Sequence, residues 1–444
     1  MLPNGKNSRI LFTRESNDMN EGPLQRSGIN IFEPIKELKF DHLGRSQFAS
    51  RILARVSEPD CPATLGLYGG WGVGKTSILH LMETLNDDKN KRGDVTPIIE
   101  YIDVWPYEIS GDLAIPLLIH TRKLIGKALP ENYKTSWKRI LGVLAQAGTD
   151  LLLRKYLNLE LSDVQNYKDN LQDVAPTHKQ LRDLETLIDD IGDARNLFSD
   201  LVQFACAANQ NRRIVFLIDN LDRCSPENVV RLLESTKNFL DAPNCTWVFA
   251  MDSGVIASYI DRKYNDTKMD GNNYLDKIIP EQYHVPPVSF ADLRKLVEAA
   301  LPVTRPPGLP SIDPQKIPQL PETLVPRRLL KTAHRFYRAY TTPTHLGSQA
   351  GADMIFALIL LYNTWPAFYE RFSSHSPDHV RGILVNFTGK DKNHPGLIPL
   401  PPGLENDRSL AHYVRSCFIK ESQSEDVYSQ IASGMLWLRE MGLP

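Results

Sequence analysis

The chain has 444 residues, enough for two or three domains and a sizeable core. Its formal net charge of −2 supplies neither an overall basic field to attract nucleic acid nor an acidic one to attract a basic partner. Its five cysteines are scattered and form no C-x-x-C pair, which argues against a disulfide scaffold or a zinc site and fits a reducing cytoplasm.

Met1–Asn30 is polar and patternless and predicts a flexible arm rather than an export leader. No stretch reaches the about 18 apolar residues that a membrane helix needs. Ile140–Leu153 is interrupted by Gln146 and Asp150, and Ile355–Tyr362 is too short. Both fit buried faces of soluble helices, so no membrane contact is expected. Ile31–Phe40 leads into Asp41-His42-Leu43-Gly44-Arg45. Ser46–Val56 follows as a helix with Phe48, Ile52, Leu53 and Val56 on one face. Such a segment packs beside the base in many nucleotide-binding modules; a plain core-packing helix accounts for the spacing equally well.

Ala63–Tyr68 reads as a buried strand feeding Gly69-Gly70-Trp71-Gly72-Val73-Gly74-Lys75-Thr76, and Ser77–Met82 reads as the first turns of the helix that leaves it. The loop satisfies G-x-x-x-x-G-K-[ST] in full. Its glycines let successive N–H groups turn inward on anionic oxygens. The helix N-terminus adds partial positive charge. Gly69 to Ser77 is therefore the expected nucleotide-binding set. Lys75 would reach the outer phosphates and the Thr76 hydroxyl would bind Mg2+.

After a charged turn at Asn86–Asp94, Pro97–Trp105 is a second, β-branched and aromatic strand. Pro106–Asn211 is a long helical insert, with apolar spacing over Asp112–Leu129, Tyr133–Tyr156 and His178–Ala208. The third strand, Arg213–Asp219, ends in a carboxylate suited to a phosphate-bound magnesium. Ser225 is a natural N-cap for the helix Pro226–Phe239. Thr246–Asp252 is a fourth strand, Val255–Tyr264 a helix, and Tyr283–Val285 a short fifth strand closed by Pro286-Pro287. This alternation predicts an α/β fold, a parallel sheet with helices on both faces. Ligands in such sheets sit at the strand C-termini, where Gly69–Thr76, Asp219, Asp222 and Asp252 fall. Phe290–Leu301 is a further helix, and the stretch to Pro326 is a proline-dense connector. The helix from Pro326 to Tyr340 carries Arg327, Arg328, Lys331, His334, Arg335 and Arg338. It is either a solvated charged face or a lid that brings an arginine to the phosphates. Thr344–Pro444 is helical, split by a loop near Gly389–Gly403.

Together these pieces resemble the KAP family of P-loop NTPases, in a soluble, bacterial-type form. The matching blocks are Asp41–Gly44, the G-W-G-x-G-K-T loop with Trp71, the strand ending near Trp105, Ile214–Cys224, Val248–Asp252, Tyr274–Ile279 with Pro286-Pro287, and Pro326-Arg327-Arg328. The organisation expected is an arm over 1–30, a nucleotide core over 31–105 and 212–300, the insert 106–211, the connector 301–326, and a C-terminal lid or partner region over 327–444. Many members carry membrane helices where this chain has the insert, which lacks membrane-grade runs. The resemblance implies ATP and Mg2+, with Lys75, Asp219, Asp222 and Arg328 catalytic and Thr76 and Asp219 as metal ligands. The usual I-D-D-L-D-R-C block here reads with Asn220 at its third position. An amide is a poor general base. Asp222 is then the acid expected to activate water; a cap on helix Pro226–Phe239 or a pair with Arg223 are its alternatives. Arg327 and Arg328 are the lid arginines by position, and Arg262 is either a residue crossing a subunit interface or a plain surface arginine. Kinship further implies a homo-oligomeric switch or motor in anti-phage defence, acting with an operon-encoded effector. The chain has no nuclease, deaminase or protease motif of its own. A nucleotide-gated scaffold with little turnover is the second reading, and Asn220 favours it.

Overall fold

The computed structural model describes residues 33–110, 195–264 apart from 197 and 239, 270–289, 325–341, 350–372, 376–388, 397–419 and 426–442, with isolated positions in 113–124 and 291–299. The predicted arm, most of the insert and the proline-dense connector lie outside these residues. Among the described residues five strands pair, all in parallel, in the order β2-β3-β4-β1-β5. They are β1 (Thr64–Tyr68), β2 (Ile98–Asp103), β3 (Ile214–Asp219), β4 (Cys245–Met251) and β5 (Glu281–His284). The three inner strands are buried at every position, which is why they read as predominantly apolar runs.

Alternation along each strand sorts side chains to two faces. Val215 and Leu217 of β3, with Leu65 and Leu67 of β1, pack under α1 (Arg45–Ser57) and α2 (Lys75–Lys91). Ile214, Phe216 and Ile218 of β3, with Trp247 and Phe249 of β4, face a second core. Helices α3 (Pro226–Asn238), α4 (Ser253–Lys263) and α5 (Gly271–Ile278) cover it. Helical residues 198–208, the end of the predicted insert, place Phe198, Leu201 and Val202 in that core as well. The two-sided covering expected from the sequence is thus present.

Strand ends differ from expectation most at β2 and β4, and β5 runs Glu281–His284 rather than Tyr283–Val285. Trp105 leaves β2 and opens a 3-10 turn, Trp105–Ser110. Asp252 is not the last residue of β4 but the N-cap of α4, where it accepts from the N–H groups of Gly254 and Val255. The C-terminal helices have their own core. They are α6 (Pro326–Thr341), α7 (Ala352–Thr364), α8 (Pro366–Phe372), α9 (Pro377–Thr388), α10 (Arg408–Phe418) and α11 (Asp426–Glu440). Ile355–Leu361, the apolar run in α7, is buried throughout among them. Among the described residues no helix is long and apolar enough to cross a membrane.

Trp247 anchors the sheet's second face. It is fully buried, stacks on Phe216 at 4.2 Å between ring centroids, and donates its indole N–H to the Leu240 carbonyl at 2.9 Å. Trp247→Ala is expected to cost about 3–5 kcal/mol through a cavity and an orphaned carbonyl. Trp247→Phe keeps most of the packing and should cost clearly less. Urea unfolding followed by circular dichroism checks both; equal losses would place the cost in the hydrogen bond rather than the packing.

Candidate functional site

The phosphate loop leaves β1 still tied to the sheet, because the Gly69 N–H donates to the Met251 carbonyl of β4 at 3.1 Å. Gly72 and Gly74 then take φ of +85° and +103°, conformations that only glycine adopts without strain. Gly72 has a second constraint. A Cβ there would lie 3.1 Å from Cβ of Arg327 and 3.3 Å from Cγ2 of Val325, so the loop is packed against the start of α6. Lys75 opens α2 and is 7% exposed. Its Nζ donates to the carbonyls of Gly69 and Gly70 at 2.8 and 3.2 Å and lies 3.5 Å from Oδ2 of Asp222.

Asp219 closes β3 with 2% exposure. Its Oδ1 accepts the Asn220 N–H at 2.8 Å and its Oδ2 accepts the Tyr101 hydroxyl at 3.0 Å. Burial, and then the Asp219 charge, push the Tyr101 phenol well above its usual range, so it stays a donor. Asn220 sits in the left-handed region at φ +64°, which Asn tolerates better than most side chains. This single residue turns the chain back on itself into a 3-10 turn, Leu221–Arg223. Leu221 drops into the core, Asp222 faces Lys75, and the Arg223 guanidinium lies over the Trp105 ring at 5.0 Å. The first turn of α3 is served by a different acid: Oε1 of Glu108 accepts the Ser225 N–H at 2.9 Å and the Asn228 amide at 3.1 Å. Asp222 is therefore turned to Lys75, while Glu108 takes the helix end.

A second stacked cation approaches from α6. The Arg327 guanidinium lies 4.6 Å over the Trp71 ring. Burial and then the charge of Arg223 draw it below the usual arginine range, so the two guanidinium groups feel one another. Arg328 is exposed and does not line the pocket; adjacent helical residues point about 100° apart, and Arg327 holds the inward position. Arg262 is exposed on α4 and is not part of the pocket.

One pocket gathers most of the expected residues. Trp71, Gly72, Val73, Gly74, Lys75, Thr76 and Ser77 line it, with Asp219 and Asp222 opposite. Gly69 and Gly70 do not; they contribute through the carbonyls that hold Lys75. The pocket also takes residues that the motifs did not single out. Pro34, Ile35, Phe40 and Arg45 line it from the segment before β1, beside Leu43 of the Asp41–Gly44 block, and Leu296 and Leu330 from beyond the sheet. The Ile35 N–H donates to the Ser77 hydroxyl at 3.1 Å and so straps this segment over the start of α2. Tyr101 and Glu108 carried no motif either; a tyrosine placed two residues before a strand's end was the faint signal for the first.

The KAP family P-loop domain matches residues 45–305, more than half of the chain. The phage T7 exclusion protein of Escherichia coli K12 is 22% identical over 285 residues, which cover 59% of this chain. The matched region spans only 35% of that relative's length. Among solved structures, the Aeropyrum pernix ORC2 protein in its ADPNP–ADP complexes aligns over 93% of this chain and 89% of its own, at 11% identity and a TM-score of 0.37. Its ADP form aligns over 92% and 88%, at 12% identity and a TM-score of 0.35. That likeness is too loose to argue from.

The stacked pair at the pocket mouth can be read directly. Arg327→Met should change the tryptophan fluorescence spectrum, and the change should vanish in a Trp71→Phe background. The cost in stability should not exceed about 1 kcal/mol, the range of an exposed cation–π contact. A spectral change that persists without Trp71 would show that the cation is held elsewhere.

Proposed function

Because the chain belongs to the KAP family of P-loop NTPases, we propose that it binds ATP with magnesium in this pocket and hydrolyses the terminal phosphate. The observation that carries the reading is the convergence of Lys75, Asp219, Asp222, Arg223 and Arg327 on one pocket around a loop whose Gly72 and Gly74 take positive φ.

Charge supports a metal-bound triphosphate over a bare one. The pocket is lined by four bases, Arg45, Lys75, Arg223 and Arg327, and four acids, Glu33, Asp41, Asp219 and Asp222. Two of those acids stand directly opposite the loop, where an unaccompanied polyanion would be repelled. A divalent ion makes a ligand of one of them. Thr76 and Asp219 would hold it, and this set of one hydroxyl and one carboxylate suits an ion that keeps waters and phosphates as its other ligands. Among the described residues no group of three or more His, Cys, Asp or Glu forms a protein-only cage. The ion, when bound, neutralises charge on the outer phosphates. Lys75, Arg223 and Arg327 add positive charge on the same side, where charge develops as the bond to the terminal phosphate breaks. Asp222 is the acid placed to orient a water and take its proton, and Oδ2 is the oxygen held toward Lys75.

We place this activity in an oligomeric, cytoplasmic switch or motor that serves anti-phage defence beside a separate effector protein. The relative named for excluding phage T7 supports that setting. Asn220 favours a second reading, a nucleotide-gated scaffold with little turnover, because the residue next to the strand-end acid is an amide rather than a carboxylate.

Two measurements test these readings. Lys75→Ala removes the cation that faces the outer phosphates. Titration calorimetry should show ATP affinity falling by at least about tenfold, the scale of a lost charged hydrogen bond; unchanged affinity would sink the site assignment. Asp222→Asn keeps the shape of the side chain and removes the base. Steady-state turnover should fall by about 10² to 10⁴ with ATP binding retained. Negligible turnover in both the parent and the variant, with tight binding in both, would favour the scaffold.

A further inference from the structure

Helix α6 sorts its side chains sharply. At about 100° per residue, Arg328, Lys331, Arg335 and Arg338 fall within one arc of about 80°. Arg328, Lys331 and Arg338 are exposed and Arg335 is half-buried. The other side of the helix is core: Leu329, Ala333 and Phe336 are fully buried. The helix contains no acidic residue. A plainly solvated helix face interleaves both signs at three- and four-residue spacing, where opposite charges attract and like charges repel. Along this row every such pair repels: Arg328 with Lys331, Lys331 with Arg335, and Arg335 with Arg338.

The described fold does not quench the row. Arg328 and Lys331 make no ion pair among the described residues. Arg335 donates to the side-chain carbonyl of Asn363 and lies 4.7 Å over the Tyr362 ring. Both partners are neutral, so its charge remains. His334, at the edge of the arc, registers the field. Burial, and then the charges of Arg338 and Arg335, draw it below the usual histidine range.

The row fits one class of partner. An anionic membrane holds a basic helix that also lays its apolar face into the lipid, and that face of α6 is already buried in the protein. A protein interface sets aromatic or aliphatic anchors among its charges, and no apolar side chain stands on this arc. A single nucleic-acid strand is held by stacking its bases on open rings, and Tyr362, the ring beside the row, is covered by Arg335. A duplex backbone asks only for cations in line. Ten residue steps of about 1.5 Å set Arg328 and Arg338 about 15 Å apart along a rigid rod. We propose that this face of α6 docks on the phosphate backbone of double-stranded DNA, without regard to base sequence. With a net charge of −2 over the whole chain, the attraction is local to this row. The proposal does not depend on what the phosphate-loop pocket holds.

Fluorescence anisotropy of two short labelled duplexes of unrelated sequence, titrated with the full chain between about 50 and 200 mM salt, tests this. The wild type should bind both equally. Each cation on a phosphate contributes about 0.9 to the slope of log affinity against log salt. Arg328→Ala combined with Lys331→Ala should flatten that slope by about 1.8, so the wild type loses about tenfold more affinity across the range than the double variant does. Arg328→Lys combined with Lys331→Arg keeps the charges and should keep the wild-type slope. Both positions are exposed, so neither pair of substitutions disturbs the core. A slope unchanged in the alanine variant would overturn the assignment, as would a wild type that does not bind the duplexes. Tighter binding to poly-glutamate, to phosphatidylserine vesicles or to the separated single strands than to the duplex would also overturn it, and would assign the row to an acidic protein, a membrane or a single strand instead.

Discussion

A lysine ammonium buried where loop, helix and strand meet must be neutralised, and much of the site follows from how this is done. Lys75 lies at 7% exposure on two carbonyls of its own loop and opposite Asp222. A buried charge without such partners would cost several kcal/mol. The two carbonyls hold the loop curled around the ammonium. The carboxylate ties that loop to the exit of β3, two strands away in the order β2-β3-β4-β1-β5. β4, between them, completes the link through the Gly69 to Met251 hydrogen bond. Loop geometry and strand register are therefore one constraint, set where the parallel strands end.

Asn220 belongs to the same constraint. The chain must turn sharply after Asp219 if an acid is to reach Lys75. The turn uses a left-handed residue, and asparagine enters that region readily while its N–H remains free to bond Asp219. The turn sends Leu221 into the core and Asp222 to the ammonium. An amide at this position is thus well suited to the backbone, whatever it costs in acid–base chemistry. Glu108, arriving from the turn after β2, accepts the Ser225 N–H and the Asn228 side-chain amide at the start of α3.

The parts of the fold written in local pattern were legible. A phosphate-loop motif needs only its own eight residues, and β1, β3 and β4 are mostly apolar and buried at every position because both faces are covered. Relationships that span sequence were not. The strand order depends on which crossovers pack best, and no single strand states it. Arg327 and Arg328 have the same chemistry and adjacent positions; only the rotation of α6 against Gly72 decides which one faces the pocket. Tyr101 becomes a partner of Asp219 through the β2–β3 register, and a strand of half-buried residues does not announce that. Helical spacing over Ser46–Val56 showed a core face, and that face exists, with Phe48, Ile52, Leu53 and Val56 buried. The residue that enters the pocket, Arg45, stands just before that stretch, where a charged side chain in sequence reads as solvent-facing.

Arg223 and Arg327 complete the charge pattern in a different way from Lys75. Pairing them with carboxylates would have secured their positions and cancelled their charge. Among the described residues neither makes an ion pair; each rests on an indole face, Trp105 for one and Trp71 for the other. A guanidinium suits this, being planar and weakly hydrated. The contact is worth about 0.5–1 kcal/mol at exposed sites, enough to orient a side chain and too little to quench it. Trp71 and Trp105 consequently remain 57% and 49% exposed, an unusual cost for large apolar rings. Burial, and then the like charge of Arg223 nearby, lower the affinity of Arg327 for its proton. Mutual repulsion of this kind is relieved by an anion between the cations. The exposed rings, the unpaired arginines and the neutralised lysine are therefore parts of one arrangement: the cation inside the loop is satisfied by the protein, and the cations at its rim are left for what binds there.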